Sequence, residues 1–95
     1  MNVRFYIDVD TGLPHFEQHG VTEAEVLRVL DTPTENRPGS GDSRILIGRA
    51  SGGRFIRVVA SFDEDGEGVF VITAFEVVGK PLRALRRRMK RPGQS

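Results

Sequence analysis

Apolar and polar side chains alternate along this chain with two different periods, and the changes of period mark its elements. In residues 3 to 8, VRFYID, the residues Val3, Phe5 and Ile7 alternate with Arg4, Tyr6 and Asp8, which predicts a strand at a sheet edge. Asp10-Thr11-Gly12 turns the chain, and Leu13 to His19 admits a turn or two of helix from Pro14. Thr22 and Glu25 then stand in the S/T-x-x-E spacing of a capping box, with Val21 and Val26 placed for a hydrophobic staple across it. The helix they start ends at Thr32-Pro33. It is expected to bury Val26, Leu27 and Leu30 and to turn Glu23, Glu25, Arg28 and Asp31 to water. Residues 33 to 43, PTENRPGSGDS, hold two prolines, two glycines and no large apolar side chain, and read as a loop.

Arg44 to Ala50 and Arg54 to Phe62 are strands of a hairpin joined by Ser51-Gly52-Gly53, and Asp63 to Gly68 is a second hairpin loop. The longest apolar run, Val69 to Val78, has only Thr73 and Glu76 as polar side chains. It reads as a strand buried on both faces near the middle of the sheet. After Gly79 the period changes: Pro81 suits a first helical turn, and Leu82, Leu85 and Met89 form a narrow apolar stripe. The predicted architecture is α+β: a small antiparallel sheet, made of the N-terminal strand and a three-stranded meander, packed with helices. Two helices from the N-terminal half are expected on one sheet face. One domain is assigned to residues 1 to 91 and a disordered tail to residues 92 to 95.

Composition adds one asymmetry. The net charge is only +1, yet Lys80, Arg83, Arg86, Arg87, Arg88, Lys90 and Arg91 follow the last acid, Glu76. Those seven are half of the 14 bases, so the chain before Lys80 sets 7 bases against 13 acids. One end is therefore suited to a polyanion or an acidic protein, and the remainder would repel either. There is no cysteine, hence no disulfide, and no apolar run approaches the roughly 20 residues that cross a bilayer. A cytoplasmic protein with no membrane contact is expected.

Motifs for nucleotide folds and serine hydrolases are missing, and no cofactor is expected. His15 and His19 have the i, i+4 spacing of paired metal ligands, but neither a His-Glu-x-x-His pattern nor a third ligand accompanies them, so no metal is assigned. Asp63, Asp65 and Glu67 lack the spacing of a calcium loop. What remains is cationic: hairpin arginines, and a helix whose first turns are basic. If the two converge, guanidinium forks would hold phosphate oxygens, with RNA as the ligand. Cleavage would need proton transfer, for which His15, His19 and Glu76 are the attractive groups.

Several short motifs occur in a familiar order: His19-Gly20-Val21-Thr22 before a helix, Arg44-Ile45-Leu46-Ile47-Gly48-Arg49, Gly53-Arg54, Val71-Ile72-Thr73-Ala74, then a basic C-terminal helix. This order resembles the BrnT-like toxins of bacterial type II toxin–antitoxin systems, and more closely the adjoining uncharacterised DUF4258 group. The resemblance implies a RelE-like fold and, in the toxins, a metal-independent endoribonuclease blocked by an antitoxin partner. Thr73-Ala74 matches the toxins' Ser-Ala, and Arg83 falls on a helix arginine, whereas Phe75, Pro81 and Leu85 stand where the toxins carry arginine, glutamate and tyrosine. The expected catalytic residues are accordingly His19, Glu76 and Arg83, with Arg49, Arg57, Lys80, Arg86 and Arg87 binding RNA phosphates. The alternative is a non-catalytic module whose basic helix docks an acidic protein.

Overall fold

The computed structural model describes residues 1–90. Arg91 and the expected tail, residues 92 to 95, lie outside the described residues. Five strands form one sheet in the order β1-β5-β4-β3-β2: β1 (Asn2–Phe5), β2 (Glu35–Pro38), β3 (Ser43–Arg49), β4 (Phe55–Phe62) and β5 (Gly68–Glu76). Two α-helices, α1 (Glu23–Asp31) and α2 (Gly79–Lys90), and a 3₁₀ helix at His15–His19 pack on it. The class is α+β, as the periodicity predicts.

The sheet is mixed where an antiparallel one is expected. β2 to β5 form an antiparallel meander, but β1 runs parallel to β5, pairing Asn2 with Gly68 and Phe5 with Val71. The helical segments between β1 and the meander carry the chain far enough to return in the same direction. The loop expected at 33 to 43 contains β2, whose Glu35 to Pro38 pair with Ile47 to Arg44. An edge strand needs no apolar face and tolerates proline, so neither composition nor Pro38 betrays it.

The α1 face of the sheet carries the larger core: Phe16, Val21, Val26 and Val29 press on Leu46, Ile56, Val58, Val69, Val71 and Ala74. Both expected N-terminal helical segments do cover this face. Here α1 approaches so closely that a Cβ on Gly48 would lie 3.2 Å from Val29 Cγ2. The capping box forms in both directions, Glu25 N–H donating to Thr22 Oγ1 and Thr22 N–H to Glu25 Oε1. The buried stripe, however, is Glu25, Val26 and Val29, while Leu27 is exposed. The helix is rotated from its apolar expectation because Glu25 turns inward to Arg54.

On the opposite face α2 buries Leu85, with Leu82 beside it, against Ile47, Phe55 and Val77. Met89 stays exposed, and Arg88 takes its place in the inward stripe, three residues after Leu85. β5 is not buried on both faces. Strand β1 stops at Phe5, and α2 crosses only part of its face of the sheet, so Ile72 and Phe75 are left exposed.

Candidate nucleic-acid interface

Strand parity divides the hairpin arginines between the two faces. Arg49, opposite Phe55, and Arg57, opposite Ile47, project on the α2 face; Arg44 and Arg54 serve the other side. Arg44 donates to Asn36 Oδ1 at 2.9 Å, and the Arg49 guanidinium lies 4.8 Å over the Phe55 ring. Arg54 is fully engaged. Its Nε and Nη2 donate to Glu25 at 3.0 and 2.6 Å, Nη2 also reaches the Gly20 carbonyl at 2.8 Å, and Nη1 lies 3.4 Å from Glu76 Oε1. These bonds to Arg54 hold the Glu25 carboxyl below the usual glutamate range despite its burial. They also fix Gly20, whose left-handed backbone (φ 74°) closes the 3₁₀ helix next to His19.

Arg57 is in the opposite situation. Its guanidinium sits 5.6 Å from the Phe75 ring centroid, and its Nε is buried without a hydrogen-bond partner. Burial pushes this guanidinium below the usual arginine range; Arg37 and Arg88 push the same way, and Glu35 alone opposes them. Glu35 is already committed, accepting from Arg88 Nε and Nη2 at 2.7 and 2.8 Å, with Arg37 at 3.8 Å. Three guanidiniums thus share one carboxylate. A partly desolvated cation short of protein acceptors is suited to an anion from outside.

Phe75 links this cluster to a second one. The His19 ring lies 6.3 Å from Phe75, His15 lies 5.2 Å from His19, and Tyr6 lies 6.0 Å from His15, all edge to face. Asp8 Oδ2 stands 3.5 Å from His15 Nδ1. The Asp10 N–H and the Gln18 amide hold Asp8 ionised, below the usual aspartate range. A continuous strip runs from Tyr6 through His15, His19 and Phe75 to Arg57: two imidazoles, an exposed ring and an unpartnered cation. Beside it, a pocket of about 180 Å³ opens between the end of β5 and the first turn of α2, lined by Arg57, Phe75, Glu76, Val77, Val78 and Pro81. Among the described residues no three His, Asp or Glu side chains converge as metal ligands would.

The family model described as "Domain of unknown function (DUF4258)" matches residues 13–76. The chain belongs to the DUF4258 family. The matched span includes His15, His19, Arg57, Phe75 and Glu76 and stops before α2, so the basic helix lies beyond it. No curated protein and no solved structure matches the chain.

Of the residues expected to act in this DUF4258 protein, Arg57 and Glu76 both border the pocket, but Arg57 pairs with Phe75 and Glu76 with Ile56, so their side chains leave the sheet on opposite faces, and His19 stands across Phe75 from Arg57. Glu76 is tied to Arg54 through one oxygen only. Lys80 is exposed in the first turn of α2, next to the pocket-lining Pro81. Arg83, Arg86 and Arg87 are exposed; at 100° per residue Arg83 and Arg87 project from the side of α2 away from Leu85 and Arg86 from its flank. The convergence of hairpin and outer helix arginines is therefore not what forms; the cation that α2 turns to the sheet is Arg88. Sequence reasoning missed Arg37, Arg88, Glu35 and Asp8, and it saw Phe75 only as a departure from the toxins. For Arg88 a signal existed, since it continues the Leu82, Leu85 stripe at the same spacing.

Proposed function

We propose that this DUF4258 protein binds single-stranded RNA along the strip from His19 to Arg57, stacking a base on Phe75 and giving a phosphate to Arg57 and Arg37. The observation that carries this reading is Arg57, buried at Nε without a partner and seated beside an exposed aromatic ring. Aromatic stacking and an adjoining cation are the two elements that single-strand recognition combines, at about 1–3 kcal/mol per stacked base. Fluorescence anisotropy with labelled single-stranded RNA tests it. Arg57→Ala and Phe75→Ala should each weaken binding about tenfold; unchanged affinity in both would remove the reading.

The Asp8, His15, His19 row supports a second step, metal-independent cleavage of the bound strand. His19 would take the proton of a 2′-hydroxyl, whose oxygen attacks the phosphorus to close a 2′,3′-cyclic phosphate. The departing 5′-oxygen would take a proton from His15, whose Nδ1 faces Asp8 at 3.5 Å, and Arg57 would stabilise the charge gathering on phosphorus. With this step the protein is of the BrnT/RelE-like toxin type, and the antitoxin that the resemblance implies would be an acidic chain facing α2. Cyclic-phosphate ends formed in excess chelator, and lost in His19→Ala, are the expected products; intact RNA with the wild-type protein leaves binding alone.

A further inference from the structure

Strand β5 presents an uncovered run of side chains on the α2 face. Val69, Val71 and Ala74 are buried in the core under α1, so Phe70, Thr73 and Phe75 project on the other side of the sheet. A bulge adds one more: Val59 pairs with Thr73 and Ala60 with Val71, which leaves Ile72 between them without a partner, and exposed. Helix α2 packs on Ile47, Phe55 and Val77 and leaves this run open. Just past β1, the Tyr6 N–H donates to the Val71 carbonyl at 2.9 Å, so the β1–β5 ladder continues and the exposed Tyr6 stands beside Ile72. The imidazoles flank the same stretch, His15 next to Tyr6 and His19 next to Phe75.

Each end of the run has an arginine directly across from its aromatic ring. Arg57 is opposite Phe75, and Arg4 is opposite Phe70, on the same face because its neighbours Val3 and Phe5 pack into the core under α1. Arg4 is half exposed and gives one N–H to Asp63, which leaves other donors for a phosphate. From Phe70 to Phe75 the strand spans about 15 Å. Exposed sheet-face aromatics stack two or three bases over such a platform, with cations beside them for the backbone. A second copy of this chain fits less well, since packing the face on itself would set Arg4 and Arg57 only against one another. Resting on the RNA-binding reading above, we infer that the RNA path continues along β5, with Phe75, Ile72 beside Tyr6, and Phe70 supporting three successive bases and Arg57 and Arg4 taking phosphates at its two ends.

Labelled single-stranded RNAs of two and four nucleotides provide the test by anisotropy titration. The wild-type protein should bind the longer strand at least about tenfold more tightly, the scale of one further stacked base. Arg4→Gln and Phe70→Leu, at the far end of the run, should each weaken the four-nucleotide strand about fivefold and leave the two-nucleotide strand, seated on Phe75 and Ile72, within about twofold of the wild type. The Arg4 ion pair with Asp63 is solvent-exposed and stabilises little, so Arg4→Gln should keep a melting temperature near that of the wild type. Equal affinity for the two lengths, or a length dependence that both variants leave intact, overturns the inference while the RNA reading stands. A wild-type dimer that Ile72→Asp separates in sedimentation would give the face to a second copy and overturn it as well. Failure to bind either strand overturns both.

Discussion

A guanidinium carries five N–H donors, and burial strips water from them, so an arginine that stabilises a fold is normally surrounded by acceptors. Arg54 meets that description: two bonds to Glu25, one to the Gly20 carbonyl and a longer contact to Glu76. Arg57 does not, having an unpartnered Nε and two other guanidiniums, Arg37 and Arg88, around the same Glu35. Two arginines three residues apart on one hairpin thus have opposite effects on the folded state. Replacing each with methionine, which keeps much of the aliphatic volume, separates them. Arg54→Met strands the buried Glu25 and should cost about 2–3 kcal/mol, or roughly 10 °C in melting temperature for a domain of this size. Arg57→Met should leave the melting temperature unchanged or raise it, because an uncompensated charge is removed. A comparable fall in both would make Arg57 a structural residue and undercut its assignment to ligand.

Among the elements, α1 and the 3₁₀ helix are fixed to the sheet through Glu25. The carboxylate closes the capping box at the start of α1 and accepts from Arg54 on the far side of the hairpin, so one group orders the helix start and the turn carrying His19. Its pH dependence follows from the sign of the shift. Folding depresses the Glu25 pKa below its ordinary 4.5, chiefly through the bond from Arg54, so this stabilisation is complete above about pH 4.5 and is lost as pH falls through the lower folded value. Glu35, bonded by Arg88, shifts in the same direction. Urea unfolding of Glu25→Gln should show a loss of about 1–3 kcal/mol at pH 7 that shrinks as pH falls below 4.5 and through the lower folded value. A constant deficit across that range would place the effect in packing instead.

The same carboxylate marks the limit of what the chain discloses in one dimension. Thr22 and Glu25 announce the helix start because the capping box is local, four residues long. That Glu25 also turns inward, and shifts the buried stripe from Leu27 to Val29, depends on Arg54, 29 residues away. The meander, the basic helix and the short helical turn after Pro14 were legible from period and turn residues. β2 was not, since its Glu35-Asn36-Arg37-Pro38 has no apolar alternation and exists only by pairing with β3. With β2 hidden, the Glu35, Arg37, Arg57, Arg88 cluster could not be assembled, although His19, Glu76 and Arg57 could be named one by one.

For the molecule as a whole, charge is distributed in two functionally distinct layers. Arg57, Arg37 and Arg88 lie on the α2 face of the sheet, where the partial burial of Arg57 limits its screening by salt. Arg83, Arg86 and Arg87 are exposed on the outer side and flank of α2, where counterions reach them. These outer cations sit on the helix whose first turn borders the pocket beside the strip, and they set the field that an approaching strand meets. They should therefore govern the encounter, and the sheet-face cations the lifetime of the complex. Stopped-flow binding of single-stranded RNA to an Arg83→Glu, Arg86→Glu, Arg87→Glu triple variant should show association slowed about tenfold or more at 50 mM salt. The deficit should nearly vanish at 0.5 M salt, where the Debye length is shorter than the path between helix and strip, while the dissociation rate stays within about twofold of the wild type. Arg57→Ala should behave in reverse, dissociating faster with little change in association. Should the triple variant instead dissociate faster at every salt concentration, the outer face of α2 would touch the bound strand directly, and the RNA would have to wrap the helix rather than lie along β5.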